Sequence, residues 1–592
     1  MKTTNQTGSK GSPTGGMTGR GVLWTMTTIA TAVLLAACGG DDDGDASAAT
    51  APSPNNAALA FDASKYTTVN VSVDGVPMKV RQYKVVYVAK PIRMASTLTT
   101  GSTVALDSPY ELQSMNINVP EAMVNDQKTA LYFAVNNSGW FASPVRNTVK
   151  EGSAFASTNT AVPAATDAPN IGAALKAGYV VIEVGTRSRG ARAEEGSWVG
   201  KAPAPVVDAK AAIRYLRLND TVMPGSAERI VMNGTSGGGG LTAAVAASGN
   251  SADYLPDLAA IGAAGVDGSG SSFTSSIKDD IFAAVAYCPI NNLGNADAGY
   301  EFEYSAVRND TNTGALGGVA YSAGPQTAAS TAIASTFAAY VASLNLKQAD
   351  GTPVTATTLR DTTAGFVREE VQRQIAAGTA VPPLGGNLVT TRKTLVNDWL
   401  TLSGTGTSAM VANVDYPKFV NYVAANQPLK TVVAFDAVGV TGNRNATTNA
   451  WNISGESTLF GSASFQYSNF TDWSWTNNAV LGDGTGRDNT NQTWAQYLAS
   501  TNNSLATQLK LINPIPYLGS TSADAAPYWY VRHGMVDRDT AFVMQSLLYQ
   551  AIRNDTSVKD LNFKLPYLVG HAGNYDVQEA FTWIKAKLDS AP

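Results

Sequence analysis

Hydrolysis by a serine needs a base, and this 592-residue chain has only two histidines to offer, His533 and His571. The candidate nucleophile is Ser236, in Gly234-Thr235-Ser236-Gly237-Gly238. An apolar run, Arg229 to Asn233, leads into the pentapeptide, and a small-residue helical stretch, Gly238 to Ser248, follows it. Strand, tight turn and helix form the setting in which Gly-x-Ser-x-Gly lifts a hydroxyl clear of a sheet. Glycines are required around such a serine because its backbone is strained and neighbouring chains pass too close for side chains.

The acid and the base read from the end of the chain. After the apolar Tyr528-Trp529-Tyr530-Val531 come Arg532-His533-Gly534-Met535-Val536-Asp537-Arg538-Asp539. After Leu565 to Val569 come Gly570-His571-Ala572-Gly573. Nucleophile, acid, histidine is the chain order of α/β-hydrolases. His571, in a glycine-flanked loop, reads as the base, whereas His533, just before the acid turn, reads as a structural hydrogen-bonding residue. Asp537 and Asp539 both lie in that turn. The usual Gly-x-x-Asp placement after the seventh strand selects Asp537, whose task is to hold the histidine tautomer and stabilise the imidazolium. An oxyanion hole needs two backbone donors. Gly237 N–H, directly after the nucleophile, is one; the other belongs to Asn136-Asn137-Ser138-Gly139-Trp140, at Ser138 or Gly139.

These residues need a scaffold. Strand-like runs occur at Ala130–Val135, Tyr179–Val184, Arg229–Met232, Ile281–Tyr287, Tyr528–Val531 and Leu565–Val569. Helical patterns lie between them at Asn170–Ala177, Val206–Leu218, Thr540–Ile552 and Val577–Leu588. Apolar strands alternating with amphipathic helices predict an α/β fold, a mostly parallel sheet with both faces covered. Short alternating strands from Tyr66 to Pro120 predict an antiparallel start. Between about 290 and 515 the alternation stops, in a stretch rich in Thr, Ala, Asn and Gly with helical pieces at Leu359–Ala376 and Lys393–Leu402. The expected organisation is a hydrolase core over 61–290 and 516–592, with a large cap inserted over 291–515 that shapes the pocket.

The N-terminal end reads as targeting sequence. Lys2, Lys10 and Arg20 precede an apolar stretch from Gly21 to Ala37, which ends Leu35-Ala36-Ala37-Cys38. The stretch is short for a membrane span and carries several threonines. Leu-Ala-Ala-Cys resembles a bacterial lipobox, which implies a signal peptide over 1–37, a lipidated Cys38 and a flexible tether over 38–60. Gly39 after the cysteine implies sorting to the outer membrane, with the lipid as the only membrane contact. The other cysteine, Cys288, reads as a packed thiol at the end of a buried strand. No His/Cys cluster has zinc spacing, so neither metal nor cofactor is expected. A net charge of −5 without a basic stripe excludes nucleic acid as a partner.

Gly234 to Ser251 resembles the elbow and helix of bacterial tannases. Tyr287 to Leu293 with Tyr300 to Tyr304, Glu456 to Gly461, and Arg532 to Thr540 agree with the same family in the same order. Fungal tannases and feruloyl esterases place cysteines beside the serine and the histidine, where this chain has Thr235 and Ala572. The resemblance implies hydrolysis of galloyl esters, a small phenolic substrate. It also implies a pocket in which a lysine and two carboxylates grip the ring hydroxyls, matched here by Lys430, Glu456 and Asp539. A phenol O–H donates to a carboxylate and an ammonium donates to a phenolic oxygen. Two other readings compete: an esterase for feruloyl or other phenolic esters, and a non-catalytic surface lipoprotein that binds plant phenolics.

Overall fold

The computed structural model describes residues 54–99, 103–159, 168–308, 325–436, 456–477, 490–500 and 504–591. The expected signal peptide, Cys38 and most of the tether lie outside the described residues. No helix among those residues is long and apolar enough to cross a membrane.

Among the described residues ten strands form the main sheet: β1 (Thr67–Val73), β2 (Val76–Val86), β3 (Ser114–Pro120), β4 (Ala130–Ala134), β5 (Ala154–Phe155), β6 (Val180–Val184), β7 (Ser226–Thr235), β8 (Ala283–Tyr287), β9 (Tyr528–Arg532) and β10 (Asp560–Lys564). Their order is β10-β9-β8-β7-β4-β6-β3-β2-β1-β5. The strands from β10 to β6 pair in parallel, and β6, β3, β2 and β1 pair antiparallel. This is the α/β sheet with an antiparallel start that the alternation predicts.

Strand periodicity sends alternate side chains to opposite faces. Leu131, Phe133, Ile230 and Met232 share one buried cluster with α2 (Ala204–Leu218) and α3 (Gly237–Ala247). Tyr132, Val231, Val285 and Tyr530 join the cluster that holds Ile171 and Leu175 of α1 (Pro169–Lys176) and Trp583 and Ile584 of α9 (Val577–Ser590). Parallel register brings the carboxyl ends of the central strands level: Ala134 pairs with Asn233, Thr235 with Tyr287, and Tyr287 with Arg532. Loops that leave this edge therefore converge. The next helices after β4 and β7, α1 and α3, lie on opposite faces of the sheet, and a crevice lined by Ala134, Asn136, Asn233, Thr235 and His571 opens between those strand ends.

Between β8 and β9 lie α4 (Leu293–Tyr304), α5 (Pro325–Ser343), α6 (Ala356–Ala376), α7 (Tyr416–Asn426) and two small antiparallel hairpins. Helix α8 (Phe542–Asn554) follows β9.

Two expected elements are corrected. The last strand is β10, and Leu565–Val569 is a loop. Pro566 has no N–H to give a ladder, and its carbonyl instead accepts from Met535 N at 3.0 Å and Val569 N at 3.2 Å. Lys393–Leu402 is not helical but supplies strands of both hairpins, at Thr394–Val396 and Leu400–Ser403. Buried Asn397 turns the chain between them: its side chain donates to Pro382 O and Leu400 O, both at 3.0 Å, and accepts from Leu400 N at 2.9 Å. Such side-chain bonds to nearby backbone compete with the helical ladder.

Candidate active site

Ser236 follows β7 at φ 62°, ψ −121°, a conformation that costs a non-glycine residue on the order of 1–3 kcal/mol. Surrounding hydrogen bonds hold it there. Ser236 N donates to Tyr287 O at 2.8 Å, and Ser236 O accepts from Gly240 N at 2.9 Å and Ile290 N at 3.1 Å. The glycine after the serine has a steric cause: a methyl group on Gly237 would lie 2.2 Å from Trp140 N and 2.4 Å from Asn137 O. The elbow and the loop after β4 are thus in backbone contact.

His571 Nε2 lies 2.9 Å from Ser236 Oγ, and Nδ1 lies 2.8 Å from Asp537 Oδ2. With the proton on Nδ1, the serine hydroxyl donates to Nε2 and the Nδ1–H donates to the carboxylate. Asp537 is buried, and its other oxygen accepts from Asp539 N at 2.8 Å. Asp539 Oδ2 stands 3.7 Å from Nδ1, beyond hydrogen-bond range, and its carboxylate pairs with Arg538. Of the two acids in the turn, Asp537, the one that the Gly-x-x-Asp placement selects, is the one within hydrogen-bond range of His571. His533 is sealed beneath the same turn, with Nε2 3.2 Å from Asp537 O and its ring edge-on to Phe542.

Electrostatics follow from burial and pairing. Burial opposes a charged imidazole at His571, but the Asp537 carboxylate outweighs it and raises the His571 pKa well above its ordinary value. Burial raises Asp537 in turn, yet His571 and then His533 hold it well below the usual carboxylate range. Burial lowers His533, which keeps that ring neutral.

The loop after β4 makes a short 3₁₀ turn, Ser138–Trp140, with Gly139 at φ 55°. Trp140 N donates to Asn137 O and Phe141 N to Ser138 O. The N–H groups of Ser138, Gly139 and Gly237 have no partner among the described residues. Gly237 is one of the two donors expected from sequence, and Ser138 and Gly139 are the two candidates for the other.

The three expected binding residues come together around the same site. Asp297 on α4 accepts from Ala434 N, Phe435 N and Asp436 N at 2.7, 2.9 and 3.0 Å, which pins the segment that follows Lys430. Lys430 Nζ rests 4.1 Å above the Phe435 ring, and Glu456 N donates to Phe435 O at 2.9 Å. Glu456 is buried; desolvation raises its pKa, Arg189 and Lys430 oppose that rise, and Asp539 adds to it. Its carboxylate therefore senses the expected lysine, the expected acid and one arginine absent from the sequence reading.

That arginine carries no motif. Arg189 sits in a loop after β6, where sequence shows only a run of basic residues, Arg187, Arg189 and Arg192. Cys288 also proves closer to the chemistry than a strand thiol. It follows β8 at φ 45°, and its Sγ–H donates to Ala572 O at 3.2 Å, beside the base. Cys288, Asp537 and His571 are the one group among the described residues whose ligand atoms, all within 4.8 Å of one another, could hold a metal ion. Two of those donors already bond to each other.

The BD-FAE family model matches residues 142–332, a span that includes the elbow. No curated protein sequence matches. Among solved structures, the chain is similar to a tannase from Fusobacterium nucleatum at 27% identity, with 90% of this chain and 99% of that one covered and a TM-score of 0.66. It is similar to tannin acyl hydrolase from Lactobacillus plantarum at 29% identity, with 90% and 99% covered and a TM-score of 0.67. A tannin acyl hydrolase solved with ethyl gallate matches at 29% identity, 89% and 98% coverage and a TM-score of 0.66. The fold is that of an α/β-hydrolase.

Proposed function

We propose that this carboxylic ester hydrolase cleaves galloyl esters through an acyl-enzyme on Ser236. The observation that carries the reading is the unbroken hydrogen-bond chain from Ser236 Oγ through His571 to Asp537, at 2.9 and 2.8 Å. His571 takes the hydroxyl proton as Oγ attacks the ester carbonyl, Asp537 stabilises the imidazolium, and the proton passes to the departing alcohol. Water then releases the acid by the same steps in reverse. Gly237 N–H and an N–H of Ser138 or Gly139 stabilise the oxyanion, each worth roughly 10²–10³ in turnover.

Substrate class rests on the second cluster. Lys430, Glu456 and Asp539 offer an ammonium and two carboxylates to ring hydroxyls, and similar proteins have been solved with ethyl gallate and 3,4-dihydroxybenzoate. In this reading residues 291–515 act as a cap over the crevice. Cys38 carries the lipid that tethers the enzyme to the outer membrane, a role tested by loss of labelled fatty acid in Cys38→Ser.

The decisive test is hydrolysis of methyl gallate, methyl ferulate and methyl benzoate by the chain from about residue 60 and by its Ser236→Ala variant. Gallate turnover lost in Ser236→Ala supports the mechanism, and unchanged turnover overturns it. Comparable rates on ferulate keep the serine chemistry and discard the trihydroxyl pocket. A chain that cleaves no ester and fails to react with a fluorophosphonate is a binding protein.

A further inference from the structure

The loop between β6 and α2 touches both halves of the site. On the core side, Arg189 bridges to Phe141, and Arg189 O accepts from Ala142 N at 3.0 Å. Ser188 Oγ donates to Trp140 O at 2.5 Å. The Arg189 guanidinium stacks 3.7 Å above the Phe141 ring, and one of its nitrogens would lie 3.7 Å from a methyl group placed on Gly139. On the other side, the same loop carries the segment that bears Glu456. Ala202 N donates to Leu459 O at 2.8 Å, Lys201 Nζ to Thr458 O at 2.8 Å, and Trp198 N to Ala463 O at 2.8 Å. Arg189 Nη1 stands 3.9 Å from Glu456 Oε1, with side chains only 3% and 6% exposed.

We propose that Arg189 is a specificity-determining positioning residue: its guanidinium faces the buried Glu456 carboxylate, holds it for a phenolic hydroxyl and ties it to the oxyanion loop. The proposal rests on the galloyl-pocket reading above. At 3.9 Å the contact is Coulombic and not a hydrogen bond, so the carboxylate keeps its acceptor sites for a phenol O–H. A guanidinium suits the task because it stays charged when buried and stacks flat on an aromatic ring while its edge faces the anion. Among the described residues, the other charged groups that act on Glu456 are Lys430 from the insert and Asp539 from the acid turn, the latter paired with Arg538. Burial raises Glu456 and Arg189 is the foremost influence against that rise, so losing the guanidinium moves the carboxyl toward its neutral form. A neutral carboxyl is a poorer acceptor for a phenol.

The test compares Arg189→Gln, Arg189→Lys, Glu456→Gln and the Arg189→Gln/Glu456→Gln pair, with kcat and KM on methyl gallate and methyl benzoate from about pH 5 to 9. Benzoate lacks ring hydroxyls, so its turnover reports the folded, chemically competent fraction of each preparation. The expected result is a gallate-to-benzoate ratio of kcat/KM lowered roughly tenfold in Arg189→Gln, chiefly through the gallate KM, and falling away at a higher pH than in wild type. Arg189→Lys, which keeps a cation but loses the flat stacking, restores part of the loss, and the double variant is no worse than Glu456→Gln alone. Equal losses on both esters without a pH shift, or losses that multiply in the double variant, overturn the proposal. So does a normal gallate KM in Arg189→Gln when Glu456→Gln is impaired. A normal gallate KM in Glu456→Gln brings down the pocket reading itself, and the proposal with it.

Discussion

His571 stands under two opposed influences, and the balance sets a pH dependence. Burial favours the neutral ring, while the Asp537 carboxylate at 2.8 Å favours the cation more strongly. The base must be neutral to accept the Ser236 proton, so activity falls as pH drops through the raised His571 pKa. The acid limb of kcat/KM is therefore expected above the ordinary imidazole value of about 6.5. Asp537→Asn removes the anion, which moves that limb down in pH and lowers kcat by roughly 10⁴-fold through the wrong tautomer. A kcat/KM profile of both proteins on methyl gallate checks the sign. An acid limb that stays in place would mean that Asp537 does not set the ionisation of the base.

At the scale of elements, the nucleophile depends on how closely α3 passes beneath neighbouring backbone. Its residues, Gly237 to Ala247, are all buried, so it has no solvent face to yield toward. A methyl group on Gly240 would lie 2.0 Å from Ile290 O and 2.7 Å from the Trp140 ring. Neither the carbonyl after β8 nor the indole, whose Nε1 donates to Ile290 O at 3.0 Å, can retreat cheaply. Gly240→Ala is expected to destabilise by about 1–3 kcal/mol and to shift the elbow against the oxyanion loop. The consequence is a fall in kcat larger than the loss of folded protein explains. Urea unfolding beside active-site titration with a fluorophosphonate separates the two effects.

For the whole molecule, both faces of the sheet are covered, and the layers are joined by a charge cluster as well as by apolar packing. Asp279, just before β8, accepts from Lys210 Nζ and Arg214 Nε of α2, each at 2.7 Å, and from Asn250 N at 2.8 Å. Lys210 also donates to Ser248 O at the end of α3, at 2.6 Å. All three charged side chains are buried. Asp279→Asn leaves two cations without an anion and is expected to cost about 3–5 kcal/mol of stability. The triad lies on loops at the carboxyl edge of the sheet, so turnover per folded molecule should be unchanged. A urea midpoint that does not move would show that the cluster contributes nothing net.

What the sequence by itself determined was local and periodic. The apolar runs that became β4, β6, β7, β8 and β9, the helices between them and the elbow at Ser236 could all be read, because strand and helix periods and glycine turns are encoded within a few residues. With only two histidines present, one in a glycine-flanked loop, His571 was legible as well. Where Pro566 and Asn397 redirected the chain, the local pattern misled, since an apolar run does not say whether a partner ladder is still there to meet it. Tertiary structure alone decided what depends on distance between remote residues. It set the His571 ring 2.8 Å from Asp537 and 3.7 Å from Asp539, brought Cys288 against the His571 loop, and set Arg189 between the oxyanion loop and Glu456. The physical reason is that hydrogen bonds and ion pairs are set by differences of an ångström or less. Such differences arise only when elements far apart in the chain are packed on one another.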